Sequence, residues 1–292
     1  MSKQQSEHTG GMNTKRSVAL FGALSLLLSG CGLSSSSTPI PTASTPAPST
    51  NTTTPEARAL AQYWVADTAR GFRLYREFAR ISVAPDPITA ALRALVANKP
   101  KDPDYTSLWP LGTTINSVAV SGNAATIDLT LGKMNVGSEG EAIAIAQLVW
   151  TATAANPTVK KISLTIDGKT VESIAGHVDA TKPFARAPTY EVLAPVWITS
   201  PDEGAQKSAQ GFKLSGLAST FEANVVWKVF QNGKLIKQGS TLAGEAAPAW
   251  KPWSVEIGGL APGEYQFAAM ELSAKDGSLV ARDTKNATLT AQ

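Results

Sequence analysis

Cysteine and histidine are the residue types that most often ligate metals or act as nucleophiles and bases. The 292 residues of this chain include one cysteine, Cys31, and two histidines, His8 and His177. One cysteine cannot form an intrachain disulfide. Since His8 falls in a segment that we expect to be removed, the remainder cannot build a common zinc site, a Cys-His dyad or an iron–sulfur centre. We therefore expect no metal, no cofactor and no enzymatic activity.

Other catalytic arrangements find little support. A serine nucleophile needs a neighbouring base, but His177 lies in a predicted linker and the sequence has no G-x-S-x-G motif. Glu139 and Glu141 are close in sequence, yet acids in the first turn of a helix usually stabilise its dipole or its cap. Asp and Glu are otherwise scattered, so a wall hydrolase with a carboxylate pair stays open as a less favoured alternative.

A basic and then apolar segment precedes the cysteine. Lys15 and Arg16 are followed by a predominantly apolar run over residues 17–28. This length is typical of the apolar core of a signal peptide and is too short to span a bilayer. We predict a signal peptide over residues 1–30, whose start codon, Met1 or Met12, is open.

The residues that end this segment are Leu28, Ser29, Gly30 and Cys31. They resemble the lipobox of bacterial lipoproteins. The resemblance implies that the sulfur of Cys31 carries diacylglycerol, that the chain is cut before Cys31, and that its acyl chains bind the cell membrane. It also implies that the folded part lies on the extracytoplasmic side, and it leaves the choice between inner and outer membrane open.

Residues 31–57 consist largely of Ser, Thr and Pro and contain few large apolar side chains. Such a segment cannot bury enough surface to offset the entropy lost on ordering its backbone. We predict a disordered tether, which at full extension would span ~80 Å between residues 32 and 55. Its expected role is to lift the folded domains away from a lipid surface.

The charge balance excludes one class of partner. The net charge is +3, and residues 1–30 contribute three bases and one acid to it. The rest of the chain is therefore almost neutral, which argues against nucleic-acid binding through bulk charge.

Residues 58–175 alternate between strand and helix patterns. Asp86 before Pro87 is a typical helix start, and Ser138 with Glu141 has the form of a capping box. We predict an α+β domain in which two helices pack on an antiparallel-rich sheet. The expected order is strand 61–67, strand 72–81, helix from 87, strands 114–121 and 124–131, helix 138–155 and strand 159–166.

The stretch SEGEAIAIAQLVWTATAANPTVKKISLTIDG resembles the second half of the GerMN domain, which was first described in a bacterial spore germination lipoprotein. The match includes Glu141, Gln147, Thr151, Thr153, Asp167 and Gly168. Ala152 departs from the family, which commonly has Leu there. The resemblance covers about residues 58–173, implies no catalytic residue, and does not decide whether the organism sporulates.

We predict a linker over residues 176–192. The pattern of residues 193–292 is almost entirely that of short strands separated by glycine-containing turns. Seven such strands predict an all-β immunoglobulin-like sandwich, which here has no disulfide between its sheets. The strings ITSPDEG, KLSGLASTFEANVVWKV and MELSAKDGS resemble the immunoglobulin-like domain of bacterial spore germination. In that family this domain often follows a GerMN domain.

Two groups of side chains are candidates for binding. Arg76 and Arg80 share one strand face and would contact anionic envelope polymer or lipid headgroups, unless they are merely solvated. Trp250 and Trp253 lie in a proline-rich loop that would stack on sugars or anchor a partner. The plainer interpretation places Trp253 in the sandwich core and leaves Trp250 as the more exposed residue.

These observations favour a non-enzymatic, lipid-anchored envelope protein that presents two interaction domains to another envelope protein or to cell-wall polymer. The alternative is a glycan- or peptidoglycan-binding module that uses an exposed aromatic loop. The partner, the oligomeric state and the rigidity between the two domains stay open.

Overall fold

The computed structural model describes residues 56–291, and the first domain begins there with a two-stranded ribbon. β1 (Ala57–Thr68) and β2 (Gly71–Ser82) pair antiparallel along their whole length. Both strands agree with the sequence prediction. The expected signal peptide, the lipobox, Cys31 and the tether up to residue 55 lie outside the described residues.

The first helix, α1 (Pro87–Ala97), starts as the sequence predicts. One carboxylate oxygen of Asp86 accepts hydrogen bonds from the backbone N–H groups of Ile88, at 2.9 Å, and Thr89, at 3.0 Å. The proline ring needs no such partner, because proline has no N–H group. The helix buries Leu92 and Leu95 in the domain core.

The second helix, α2 (Ser138–Ala155), has the predicted bounds but not the predicted cap. Gly137 occupies the cap position and no side chain caps the helix. The capping-box prediction is therefore wrong in its detail, since the side chain of Glu141 accepts hydrogen bonds from the backbone of residues 174–178 instead. Most of the helix surface is buried, including Leu148 and Val149, so α2 runs through the core of the domain.

The remaining strands of the first domain form a four-stranded sheet. β3 and β4 pair antiparallel, whereas β4 and β5 pair parallel because α2 provides the crossover between them. The α+β prediction is confirmed, with the strands divided between this sheet and the ribbon. In sheet order the strands are β3 (Thr114–Ser121), β4 (Ala124–Thr130), β5 (Lys161–Ile166) and β6 (Lys169–Thr170).

The segment that we predicted to be a linker packs on the first domain. Phe184 exchanges two backbone hydrogen bonds with Ile162 of β5, at 2.7 and 2.8 Å. A short helix, α3 (Thr189–Val192), follows, and the N–H group of Ala194 then donates to the carbonyl of Leu74 in β2. These contacts hold the chain against the first domain until the second begins.

The second domain is a sandwich of two sheets, as predicted. The larger sheet has the order β11-β10-β13-β14-β8, and the smaller one has the order β12-β9-β7. Val225, Phe267 and Leu214 are among the residues buried between them. The strands are β7 (Val196–Ser200), β8 (Ala205–Ser208), β9 (Phe212–Ala218), β10 (Asn224–Gln231), β11 (Lys234–Leu242), β12 (Lys251–Ile257), β13 (Gly263–Leu272) and β14 (Leu279–Thr290).

Candidate functional site

A buried cluster of charged side chains joins the two domains. The ammonium group of Lys285, in β14, donates to the carboxylate of Asp102, in the loop after α1. It also donates to the hydroxyl of Tyr105 at 2.7 Å and lies 3.4 Å from Asp283. The other oxygen of Asp283 accepts the backbone N–H of Ile198 at 2.6 Å. We call Asp102, Tyr105, Asp283 and Lys285 the charged cluster.

Burial governs the protonation of this cluster. It raises the pKa of Asp283 to about 6, although Lys285 and a hydrogen bond from Tyr105 act in the opposite direction. Burial likewise raises the pKa of Asp102. Burial lowers the pKa of Lys285, but the two carboxylates outweigh it and the net shift is upward. The cluster contains one more carboxylate than it has cations, so taking up a proton relieves its excess negative charge.

Polar and aromatic contacts extend the charged cluster along the domain boundary. The ring of Tyr75 stacks on that of Tyr105, with centroids 4.8 Å apart. The hydroxyl of Tyr75 donates to the backbone carbonyl of Arg282 at 2.8 Å, and Thr284 donates to Asp104. Each of these hydrogen bonds joins the first domain to β14, so β14 is one of the strands on which the first domain docks.

Aromatic rings form a second part of the boundary, around Trp197 of β7. The indole of Trp197 lies 6.3 Å from the ring of Tyr63, which in turn lies 5.4 Å from the ring of Trp150. The indole of Trp250 covers that of Trp197, with ring centroids 4.7 Å apart. The guanidinium of Arg76 lies 5.2 Å from the ring centre of Trp197. Residues of both domains therefore share one aromatic core at this point.

Glu141 binds the backbone of residues 174–178, where the segment that leads from the first domain to the second begins. We call residues 174–192 the interdomain segment. The side chain of Glu141 is fully buried, and its two oxygens accept four backbone N–H groups at 2.8–3.1 Å. The donors are Ile174, Ala175, His177 and Val178. A carboxylate that accepts several backbone donors orders the segment that supplies them. Glu141 thus fixes this segment to α2 instead of capping the helix.

The two tryptophans of the loop differ in their exposure. Trp253 is 2% exposed, and its indole N–H donates to the carbonyl of Trp197 at 3.2 Å. This confirms the plainer interpretation, in which Trp253 belongs to the sandwich core. Trp250 is half-buried against Trp197 and is the more exposed of the two tryptophans, as the plainer interpretation expects. The glycan-binding alternative therefore depends on the partly exposed ring of Trp250 alone.

The two arginines have different surroundings. Arg80 is exposed near the end of β2. Arg76 is half-buried, with its guanidinium 4.9 Å from the ring centre of Phe78 as well as beside Trp197. Within residues 56–291 neither arginine lies within ion-pair distance of a carboxylate. They are candidates for contact with anions, and Arg76 also lines a groove.

That groove, of ≈ 660 Å³, lies on the outer face of the three-stranded sheet and against β2 of the first domain. We call it the junction groove, since both domains line it. Phe78 is 49% exposed and Leu242 is 67% exposed, so apolar side chains of the groove are in contact with solvent. Among the side chains that line it are Arg76, Phe78, Lys213, Leu217, Leu242 and Pro252.

His177 is exposed, and its Nε2 lies 3.1 Å from the carbonyl oxygen of Val136. No group of three or more His, Cys, Asp or Glu in residues 56–291 is arranged to hold a metal ion. None of the helices there has the length and apolar character that crossing a membrane requires.

Sequence reasoning missed the charged cluster, although one signal was present. Asp283 and Lys285 have the same parity in β14 as the buried Ala287 and Leu289. Period-two alternation places all four on one strand face, so an acid and a base two residues apart point to a buried pair. Asp102 carries no comparable signal, because it lies in a loop whose path depends on the tertiary structure.

An α+β domain docked on an immunoglobulin-like sandwich is the class of protein that these elements define. Residues 61–172 match the family model described as "Sporulation and spore germination" (Germane). Residues 195–278 match the model for the "Immunoglobulin-like domain of bacterial spore germination" (Gmad2). The chain therefore carries these two germination-type domains in this order, as both resemblances in the sequence implied.

Solved structures similar to the chain match parts of it. A candidate lipoprotein from Clostridium perfringens is 19% identical, with 44% of this chain and 88% of that chain covered and a TM-score of 0.33. The tandem GerMN domains of the sporulation protein GerM from Bacillus subtilis are 20% identical, with 50% and 49% covered and a TM-score of 0.36. The first GerMN domain of GerM is 18% identical, with 44% and 98% covered and a TM-score of 0.36. No curated protein matched the chain.

Proposed function

We propose that this chain is a non-enzymatic, lipid-anchored envelope protein of the germination type, which presents its two domains as a single interaction unit. The observation that carries the proposal is the charged cluster, because a buried ion pair across the boundary keeps the two domains in one arrangement. A partner then meets a continuous surface that neither domain has alone. An envelope protein is the expected partner, and cell-wall polymer is the second choice.

The anchor in this proposal rests on the sequence. Cys31 follows a lipobox-like segment, and a Ser-, Thr- and Pro-rich tether separates it from β1. A single acyl chain binds a membrane only marginally, whereas two or more hold a protein stably. Diacylglycerol on Cys31 would thus suit a protein that stays at the extracytoplasmic face of the cell membrane.

The absence of catalysis is proposed from the surroundings of the chain's reactive groups. Asp102 and Asp283 are only 1% and 2% exposed, and both face Lys285, so a polymer substrate cannot reach them as an acid–base pair. Neither of the matched domain families is one of known enzymes.

Metabolic labelling tests the anchor. Cells that express the full chain are grown with labelled palmitate, and the variant Cys31→Ser is compared with Ser35→Ala, which removes a hydroxyl close by. We expect label and membrane fractionation for the unaltered chain and for Ser35→Ala, and loss of both for Cys31→Ser. An unlabelled, soluble wild-type chain would refute the proposal.

Incubation with purified cell wall tests the absence of catalysis. The full chain is expected to release no soluble fragments from peptidoglycan above the level of a heat-denatured sample. Release that depends on the folded chain would establish an enzyme instead. The same samples, followed by tryptophan fluorescence with added muropeptides, test the glycan-binding alternative, for which a saturable change would be required.

A further inference from the structure

The junction groove is composed of parts from both domains. β2 supplies Arg76 and Phe78 as one wall, while the outer face of the three-stranded sheet supplies Lys213 and Leu217. The charged cluster and the aromatic contacts around Trp197 hold these two parts together. A ligand in the groove would therefore contact the docked pair, and neither separate domain offers the complete site.

The groove is unusually apolar for a solvent-facing surface. Phe78 and Leu242 are exposed by 49% and 67%, and Leu217 of β9 and Pro252 of β12 line the groove with them. Contiguous exposed apolar side chains rimmed by polar residues mark interaction sites, because water around them is released when a partner covers them.

The charged side chains that line the groove itself are cations, while Glu77, Asp202 and Glu203 line a smaller cavity that shares Arg76 and Phe78 with it. Arg76 and Lys213 line the groove, and no carboxylate does among the described residues. The guanidinium of Arg76 rests on aromatic rings and has no acid partner within residues 56–291. Lys213 lies 4.0 Å from Glu256, with both side chains more than half exposed, so this pair neutralises it only weakly. The groove therefore complements an anionic partner.

From this combination we infer that the junction groove binds an acidic peptide segment that also carries apolar side chains, supplied by an envelope protein. Carboxylates of the segment pair with Arg76 and Lys213, and its apolar side chains cover Phe78, Leu217 and Leu242. A purely anionic wall polymer would use the two cations but would leave the apolar surface in water, so the peptide is favoured. The inference rests on the proposed function and names the surface through which it acts.

Peptide binding to the purified full chain, followed by fluorescence polarisation, tests the inference. The probes are three short labelled peptides, in which Glu alternates with Leu, Glu alternates with Ser, and Lys alternates with Leu. We expect the Glu-Leu peptide to bind, the Glu-Ser peptide to bind about tenfold more weakly, and the Lys-Leu peptide not to bind. Binding of the Glu-Leu peptide should weaken as salt is added.

Paired substitutions locate the site. Lys213→Glu with Leu242→Asp reverses one charge and removes one apolar contact at exposed positions of the groove. Lys234→Glu with Leu235→Asp makes the same changes on β11, outside the groove, where both residues are exposed. We expect the groove pair to weaken binding by about tenfold or more and the β11 pair to leave it unchanged. Each single groove variant is measured too, with circular dichroism to confirm its fold.

Three results would overturn the inference. They are no binding of the Glu-Leu peptide, equal weakening by both substitution pairs, and equal affinity for the Glu-Leu and Glu-Ser peptides. The last would assign the groove to polyanions instead of peptides. Palmitate labelling of the same chain separates the two proposals, since a labelled chain without peptide binding refutes only the groove, whereas an unlabelled chain refutes the lipid anchor.

Discussion

Lys285 in the last strand of the second domain is ion-paired to Asp102 in the first, although 183 positions separate them in the sequence. Both side chains are almost completely buried. Burying such a pair has a large desolvation cost, so its net contribution to stability is small while it is intact. Removing one partner is costly, because the other charge stays buried without compensation. The pair therefore penalises arrangements of the two domains that would leave either charge buried alone.

Lys285→Met should lower the free energy of unfolding by about 3–5 kcal/mol, since it leaves the carboxylates of Asp102 and Asp283 buried without their cation. Chemical denaturation of the full chain measures the change. Lys182→Met is the matched control, because Lys182 pairs with Asp179 at 3.6 Å on the surface. This substitution should change the free energy of unfolding by less than about 0.5 kcal/mol. Equal effects of the two substitutions would contradict this role for the charged cluster.

The stability of the protein should depend on the protonation of Asp283. Its pKa is raised to about 6 in the folded protein, so the folded state binds a proton more tightly than the unfolded state does. Stability from this group is therefore present at low pH and is lost as the pH rises from about 4 to about 6, by up to about 3 kcal/mol. In Asp283→Asn this loss should disappear.

Denaturation curves at several pH values between about 4 and about 7 measure this loss of stability, since that range brackets the titration of Asp283. Relative to wild type, Asp283→Asn should gain stability across this window. Asp276→Asn serves as a control, since hydrogen bonds from Ser278 lower the pKa of that exposed carboxylate and its effect falls at lower pH. Parallel curves for wild type and Asp283→Asn would show that Asp283 does not titrate as described.

Glu141→Gln should release the segment that leads to the second domain. The amide has one acceptor oxygen, which can serve either Ile174 and Ala175 or His177 and Val178. Its NH₂ group then faces the N–H donors of the other pair, which lose their acceptor. We expect a loss of about 2–3 kcal/mol and much faster hydrogen exchange at these amides. Glu172→Gln alters an exposed carboxylate nearby and should leave exchange unchanged.

Gly216→Ala should destabilise the second domain, because the new methyl group has no space. A Cβ at this position of β9 would overlap the carbonyl oxygen of Trp197 and lie 2.7 Å from the indole nitrogen of Trp253. We expect a loss of at least about 2 kcal/mol in thermal or chemical unfolding. At Gly211 a Cβ would have one ordinary contact, at 3.8 Å, so Gly211→Ala should change stability by less than about 1 kcal/mol.

Much of the secondary structure follows from local patterns. The cap at Asp86, the bounds of α2 and the ribbon of β1 and β2 were predictable, since each depends on neighbouring residues or on a short hydrophobic period. The first half of β14 was missed, although Asp283 and Lys285 share the parity of the buried Ala287 and Leu289. Its sequence from Leu279 to Asn286 contains three charged residues, which reads as a loop until the first domain is seen to cover two of them.

The order of two domains, their classes and the lipobox-like segment at Cys31 could be determined from the sequence by itself, because each is written in contiguous residues. Only the tertiary structure could place Asp102 beside Lys285, turn Glu141 toward residues 174–178, and place Trp250 over Trp197. These contacts join residues that are distant along the chain. Their energies come from burial and charge pairing, which exist only once the chain has folded and, for Asp102 and Lys285, once the two domains have docked.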